Sequence, residues 1–289
     1  MAHILSVVSL RLVLGVLRAV QPRLPAGPAG AVAHAARLRL DAGEQRSEAA
    51  IDALRQRLVG SDETVKVVDY GAGPERGGGP LRYISSMYKR AATGPAWGRF
   101  LFGLVRARRP QRVLELGTNL GVGAAHLAQA LCLNEEEDGE RGRLVTLEGD
   151  PGLATRAAGA LARLGHPVGE GPDDRVRVVI GPFADTLAPT AQAEGPFDLV
   201  FVDGHHTEAA ALDYLATLDP HLAPDALVVL DDVEPGRPVR QAWRRYRAGR
   251  PAAPAFYAGK YGLVFTGPAP PEGAATPLGR QTTPLPPGD

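Results

Sequence analysis

Five short apolar runs, each followed by a helical pattern, organise the chain from residue 111 onward, and no other feature limits its fold as much. The runs are Arg112–Leu116, Leu144–Glu148, Val176–Ile180, Leu199–Val202 and Ala226–Leu230. They are rich in Val and Leu and lack polar alternation, as strands buried on both faces of a parallel sheet require. Helical spacing of apolar residues falls at 121–132, 152–164, 183–192, 207–218 and 237–247. Strand and helix in regular succession predict a doubly wound α/β fold. A closing hairpin is expected at 254–258 and 261–266, around Gly259-Lys260.

The rest of the chain divides by composition. Gly (35) and Pro (26) exceed their usual combined share of roughly 12%, and the excess gathers in Pro22–Gly30, Gly71–Pro80 and 267–289. These segments read as a linker, a loop and a disordered tail. The first 40 residues carry Arg11, Arg18, Arg23, Arg37 and Arg39 and no acid. Residues 4–20 are apolar, with Arg11 and Arg18 on one helical face. Such a start suits a packing helix, a peripheral membrane-surface helix, a transit segment or a homodimer contact. Helices are expected at Ser47–Leu58, 81–92 and 95–107, with a short strand at Thr64–Asp69. Four parts follow: 1–46, a basic apolar segment and linker; 47–110, helices and a lid-like loop; 111–266, the α/β domain; and 267–289, the tail.

Several classes are excluded. One cysteine, Cys132, permits no internal disulfide framework and no Cys-rich zinc site. A net charge of zero disfavours a general nucleic-acid binder. No run of about 18 uncharged apolar residues marks a membrane-crossing helix, and no small-residue cleavage site follows residues 4–20. A cytoplasmic location is the expectation.

The strongest motif joins the first strand to its helix: Val113-Leu-Glu115-Leu-Gly117-Thr118-Asn119-Leu-Gly121-Val-Gly123. Glycines there allow a tight turn and bring backbone N–H groups to a helix N-terminus. The spacing is not the G-x-G-x-x-G of a dinucleotide site, which disfavours an NAD enzyme. The pattern E-x-G-x-x-x-G resembles the first motif of class I S-adenosylmethionine (SAM)-dependent methyltransferases, whose sheet is Rossmann-like. The resemblance implies SAM along Glu115, Gly117, Thr118, Asn119 and Gly121. Glu148, at the tip of the second strand, is placed to accept from both ribose hydroxyls. It lies farther along the chain than the usual ~20 residues, and the polar insert Asn134–Arg143 accounts for the difference. The acidic run Glu135–Asp138 reads as a solvated loop. Asp150 is the second candidate for the ribose contact, with a cap on the next helix as its equal alternative. The resemblance places Gly181 and Phe183, after the third strand, beneath the adenine, with a place in the core as the alternative for Phe183. Val67-Val-Asp69-Tyr-Gly71-Ala-Gly73 imitates the motif, but Pro74–Pro80 cannot open a helix, so it reads as a lid.

After the fourth strand comes Asp203-Gly-His205-His206, and after the fifth Asp231-Asp232. Ligands in doubly wound sheets bind beyond the carboxyl ends of the strands. The set Asp203, His206, Asp231-Asp232 resembles metal-dependent O-methyltransferases of the catechol type. There the base is Lys, so His206 departs from the pattern. The resemblance implies Asp203, Asp231 and Asp232 around a divalent metal such as Mg²⁺, Asp203 also beside SAM, and His206 as catalytic base. His205 is expected to face solvent or cap the next helix. Residues 47–266 also resemble a poorly characterised bacterial group of class I methyltransferases, through Val67–Gly73, Glu115–Thr118, Asp203–His206, Asp231-Asp232 and Ala242-Trp243.

The expected function is methyl transfer from SAM to a hydroxyl of a small molecule. The alternatives are a metal-independent N- or O-methyltransferase with carboxylates for a cationic substrate, and a non-catalytic SAM- or nucleotide-binding module. The 237–247 helix carries Arg237, Arg240, Arg244, Arg245 and Arg247 beside Trp243 and Tyr246. An RNA-binding face there is disfavoured against packed aromatics with solvated arginines.

Overall fold

The computed structural model describes residues 27–37, 39–68, 81–171 and 173–267. The expectations for residues 4–20, for Gly71–Pro80 as a lid and for 268–289 lie outside them. The amino-terminal layer comprises α1 (Gly27–Ala35), α2 (Ala42–Val59), the strands β1 (Thr64–Lys66) and β2 (Leu81–Tyr83), α3 (Ile84–Ala91) and α4 (Pro95–Arg108). The α/β domain follows as β3 (Arg112–Leu116), α5 (Val122–Asp138), β4 (Arg143–Glu148), α6 (Pro151–Arg163), β5 (Val176–Ile180), α7 (Phe183–Glu194), β6 (Phe197–Val202), α8 (Glu208–Leu218) and β7 (Leu222–Leu230). It closes with α9 (Val239–Ala248), β8 (Ala255–Ala258) and β9 (Tyr261–Phe265).

The seven-stranded sheet runs β5-β4-β3-β6-β7-β9-β8. Its first five strands are parallel, and β9 runs antiparallel between β7 and β8. The doubly wound α/β expectation is therefore borne out, with the final hairpin built into the sheet. Strand order reverses between β3 and β6, the point at which such sheets open a ligand cleft. Val113, Leu114 and Leu116 of β3 and Leu199, Val200 and Phe201 of β6 are fully buried. Helices therefore cover both faces, and the loops at the strands' carboxyl ends are the part of these strands left for chemistry.

Three expectations change here. The proposed linker Pro22–Gly30 runs into α1, whose Ala29, Gly30, Ala31, Ala33 and Ala35 are buried. Small residues let it lie close on α4: a Cβ at Gly103 would stand 2.6 Å from Ala35 Cα. The acidic run Glu135–Asp138 is the last turn of α5 rather than a loop. Its carboxylates meet Arg175, Arg106 and Arg109, which remove the repulsion that made a loop the simpler reading. In addition, α2 runs across the expected boundary at 46/47.

The amino-terminal layer is pinned beside the cleft by buried polar contacts. Arg55 of α2 donates to Thr93 O at 2.9 Å and lies 2.9 Å from His126 Nε2 on α5. Of the two roles open to Asp150, it takes the cap on α6, accepting from Leu153 N at 2.7 Å, and it also accepts from Val68 N at 2.6 Å.

Candidate active site

The carboxyl ends of β3, β6 and β7 are laced together by backbone hydrogen bonds. Asp203 N donates to Leu116 O at 2.9 Å, and Asp231 N donates to Val202 O at 3.0 Å. Each following turn passes through left-handed backbone: Asn119 (φ 49°), His205 (φ 49°) and Asp232 (φ 56°). Three of the four non-glycine residues with positive φ among the described residues thus sit in one cleft. Strain of this kind persists where the surrounding structure imposes it.

The glycine loop is shaped as much by protein neighbours as for a ligand. Gly117 adopts φ 101°, and a Cβ there would stand 2.2 Å from Asp203 O. A Cβ at Gly123 would lie 2.5 Å from Glu115 Oε1. Glu115 is buried, and its Oε2 accepts from Thr146 Oγ1 at 2.6 Å. Thr118 Oγ1 lies 2.5 Å from the same Thr146 hydroxyl. Burial pushes Glu115 up to about 8, against the pull of the Thr146 hydroxyl. Asn119 Oδ1 is buried with no hydrogen-bond partner, so this loop keeps one acceptor unspent.

Glu148 stands at the tip of β4, turned to the glycine loop. Its Oε2 accepts from Asn119 N at 2.7 Å and its Oε1 from Asp150 N at 3.0 Å. Burial raises it above the ordinary carboxylate range despite those hydrogen bonds. Gly181 follows β5 with φ 140°, and its N–H donates to Glu148 O at 2.9 Å. Phe183 is partly buried beside the loop after β6, with its ring 6.1 Å from His205 and 5.5 Å from Tyr214. His205 neither faces open solvent nor caps α8. Its Nδ1 meets Tyr214 Oη, and Thr207 supplies the cap by accepting from Ala210 N at 3.2 Å.

Asp203, His206, Asp231 and Asp232 meet as one cluster. His206 Nε2 lies 4.0 Å from Asp203 Oδ1, and His206 Nδ1 lies 3.6 Å from Asp232 Oδ2. Burial and then the Asp231 carboxylate push Asp203 well above the usual range, partly offset by Lys260. Sequence reasoning overlooked Lys260, which sits in the β8–β9 turn. Its Nζ pairs with Asp231 Oδ2 and lies 3.4 Å from Asp232 Oδ1. Burial opposes its charge, but Asp231, Asp203 and Asp232 outweigh burial and hold the ammonium above its ordinary range. Tyr261, beside it, is fully buried with an unpartnered hydroxyl. Burial and then Asp231, Asp203 and Glu115 raise that hydroxyl well above its ordinary value. A hairpin turn carries no periodic signal, so only the sheet order brings Lys260, and Tyr261 at the start of β9, to the cleft.

In kind, the donors fit a hard, oxygen-seeking cation. Three carboxylates meet, and Asp231 Oδ1 is buried without a hydrogen-bond partner. Among the described residues, no three His, Cys, Asp or Glu side chains form a group arranged to hold a metal. The arginines of α9 and of the turn after it take the packed arrangement. Arg240, Arg247 and Arg250 lie over Tyr257, Trp243 and Tyr246, and Trp243 and Tyr246 are buried rather than offered to bases.

Residues 114–233 match the family model described as "Methyltransferase domain". That segment is similar to methyltransferase domains. The chain carrying it is 39% identical over 144 residues to a catechol O-methyltransferase of Mycobacterium tuberculosis, covering 50% of this chain and 58% of that protein. It is 30% identical over 143 residues to a catechol O-methyltransferase of Niastella koreensis, covering 49% and 58%. The matches span less than two thirds of these relatives' own length. Among solved structures, an S-adenosylhomocysteine (SAH)-bound methyltransferase of Podospora anserina shares the methyltransferase fold, with TM-score 0.50 at 19% identity over 87% of this chain and 100% of that one. The resemblance expected from the glycine loop and the carboxylates is borne out. No helix of the described residues is long and apolar enough to cross a membrane.

Proposed function

We propose that the protein is a SAM-dependent O-methyltransferase acting on a hydroxyl of a small molecule. The observation that carries this reading is His206 set between Asp203 and Asp232 at the carboxyl ends of neighbouring strands. SAM supplies an electrophilic methyl on a sulfonium. Glu115, Gly117, Thr118, Asn119 and Gly121 would line its methionine side, with the free Asn119 Oδ1 as an acceptor. Glu148 would exchange Asn119 N–H for the ribose hydroxyls, and Gly181 and Phe183 would flank the adenine. Asp203 would serve both the cofactor and the acceptor.

His206 would take the acceptor's proton, with Asp203 and Asp232 orienting the ring. Alignment of the acceptor oxygen with the methyl would supply much of the acceleration. Asp203, Asp231 and Asp232 would hold a divalent cation such as Mg²⁺, whose charge favours the ionised acceptor oxygen. Lys260 already serves Asp231 and Asp232 as counter-ion, which weakens the alternative of carboxylates kept for a cationic acceptor.

Calorimetry with SAH and with NAD tests the cofactor. Methyl transfer from labelled SAM to a catechol, the acceptor named in the two curated relatives, tests the reaction. SAH binding, with methylated product that falls on replacing His206 with Ala, is the expected result. NAD binding in place of SAH would refute the reading.

A further inference from the structure

The β8–β9 turn delivers an ammonium group to the oxygens a divalent cation would use. Lys260 Nζ is bonded to Asp231 Oδ2 and lies 3.4 Å from Asp232 Oδ1. Its backbone is fixed. Lys260 O accepts from Val233 N at 2.9 Å, tying the turn to the residue after Asp232. Gly259 is left-handed (φ 79°), and a Cβ there would stand 2.9 Å from Trp97 Cη2. Trp97 in turn packs on Tyr261, 5.2 Å between ring centroids. The turn therefore holds its place while the four-carbon stem of the lysine remains the adjustable part. Asp231 Oδ1 is left buried without a hydrogen-bond partner, so the lysine satisfies only part of the cluster.

We infer that Lys260 is a tethered competitor of the divalent cation: it holds Asp231 and Asp232 together while the metal is absent, and metal loading requires its ammonium to leave those oxygens. The inference rests on the metal reading above. An ammonium and a divalent ion repel each other at such separations in a partly dehydrated cleft, so both cannot keep the same two carboxylates. A tethered group acts at high effective concentration, which lowers the apparent affinity for a free ion. Metal occupancy then reports the position of Lys260 as well as the metal concentration.

Manganese titration tests this on the full chain, with bound Mn²⁺ read from the loss of the free-ion electron paramagnetic resonance signal. Lys260→Met keeps the stem and removes the charge, and Lys260→Arg keeps the charge. SAH calorimetry on each variant reports an intact fold independently of the metal. The expected result is Mn²⁺ binding at least about tenfold tighter in Lys260→Met than in the natural chain, with Lys260→Arg close to the natural chain. Unchanged or weaker Mn²⁺ binding in a Lys260→Met protein that still binds SAH overturns the inference and leaves the metal reading standing. No Mn²⁺ binding by any of the three overturns both. If Lys260→Met loses SAH binding, Lys260→Gln, which keeps polarity without charge, replaces it under the same criteria.

Discussion

Replacing Gly117 with Ala puts a methyl group where the polypeptide has no room and a dihedral where L-residues rarely go. The φ of 101° alone is costly, with strain of this kind about 1–3 kcal/mol. The added Cβ would stand 2.2 Å from Asp203 O and 2.9 Å from Asp203 C. These are backbone atoms, so relief requires moving the turn after β6, and overpacking of this kind costs roughly 1–3 kcal/mol more. The sum, roughly 2–6 kcal/mol, is a large share of a typical stability of about 5–15 kcal/mol. Gly139 provides the control: it has φ 77° with nothing within 4 Å of its would-be Cβ. Gly139→Ala should therefore show the dihedral cost alone, about 1–2 kcal/mol. Urea denaturation followed by circular dichroism measures both variants, and SAH titration measures whether the displaced turn reaches the cofactor cleft. Equal losses in the two variants would show that the contact with Asp203 contributes nothing and refute the reasoning.

Other consequences are equally accessible. Glu148→Ala should lower SAH affinity at least about tenfold in calorimetry, because two hydroxyl hydrogen bonds to a charged group are lost; unchanged affinity would remove Glu148 from the ribose. Arg106 is buried and bridges Glu44, Asn134 and Glu137. Arg106→Leu should cost about 3 kcal/mol by urea denaturation, since Glu44 and Asn134 lose a buried partner. Glu115 binds its proton more tightly in the folded chain, where it is pushed up to about 8, than in the unfolded one. Its contribution is fully present below the unfolded value and is lost as pH rises to about 8. Glu115→Gln should therefore gain on the natural chain as pH rises from about 5 to about 8, read as the difference in urea midpoints.

The residues that could be read in the sequence are those whose position follows from strand ends. Asp203, His206, Asp231 and Asp232 follow directly after apolar runs, so the parallel sheet delivers them to one edge. Glu148 and Asp150 were legible for the same reason. Lys260 was not, since it reaches the cluster only because β9 inserts between β7 and β8. Trp97 and Tyr261 support it from elements far apart in the chain. The start of α1 was missed because Gly, Pro and Ala read as linker; contact with α4 stabilises it, and no local signal shows that. The helical state of Glu135–Asp138 depends on Arg106, Arg109 and Arg175, which arrive from other elements.

The place of β9 also sets an order of events during synthesis. It is the last of the described strands to leave the ribosome, yet its flank on β7 is interior. Every residue of β9 is buried, so until it docks, β7 presents an unpaired edge open to other chains. A nascent chain stopped before residue 255 would carry the glycine loop and all three aspartates but neither the closing strand nor the lysine. The cleft is therefore completed only once β9 has been made and docked, rather than built outward from its glycine motif.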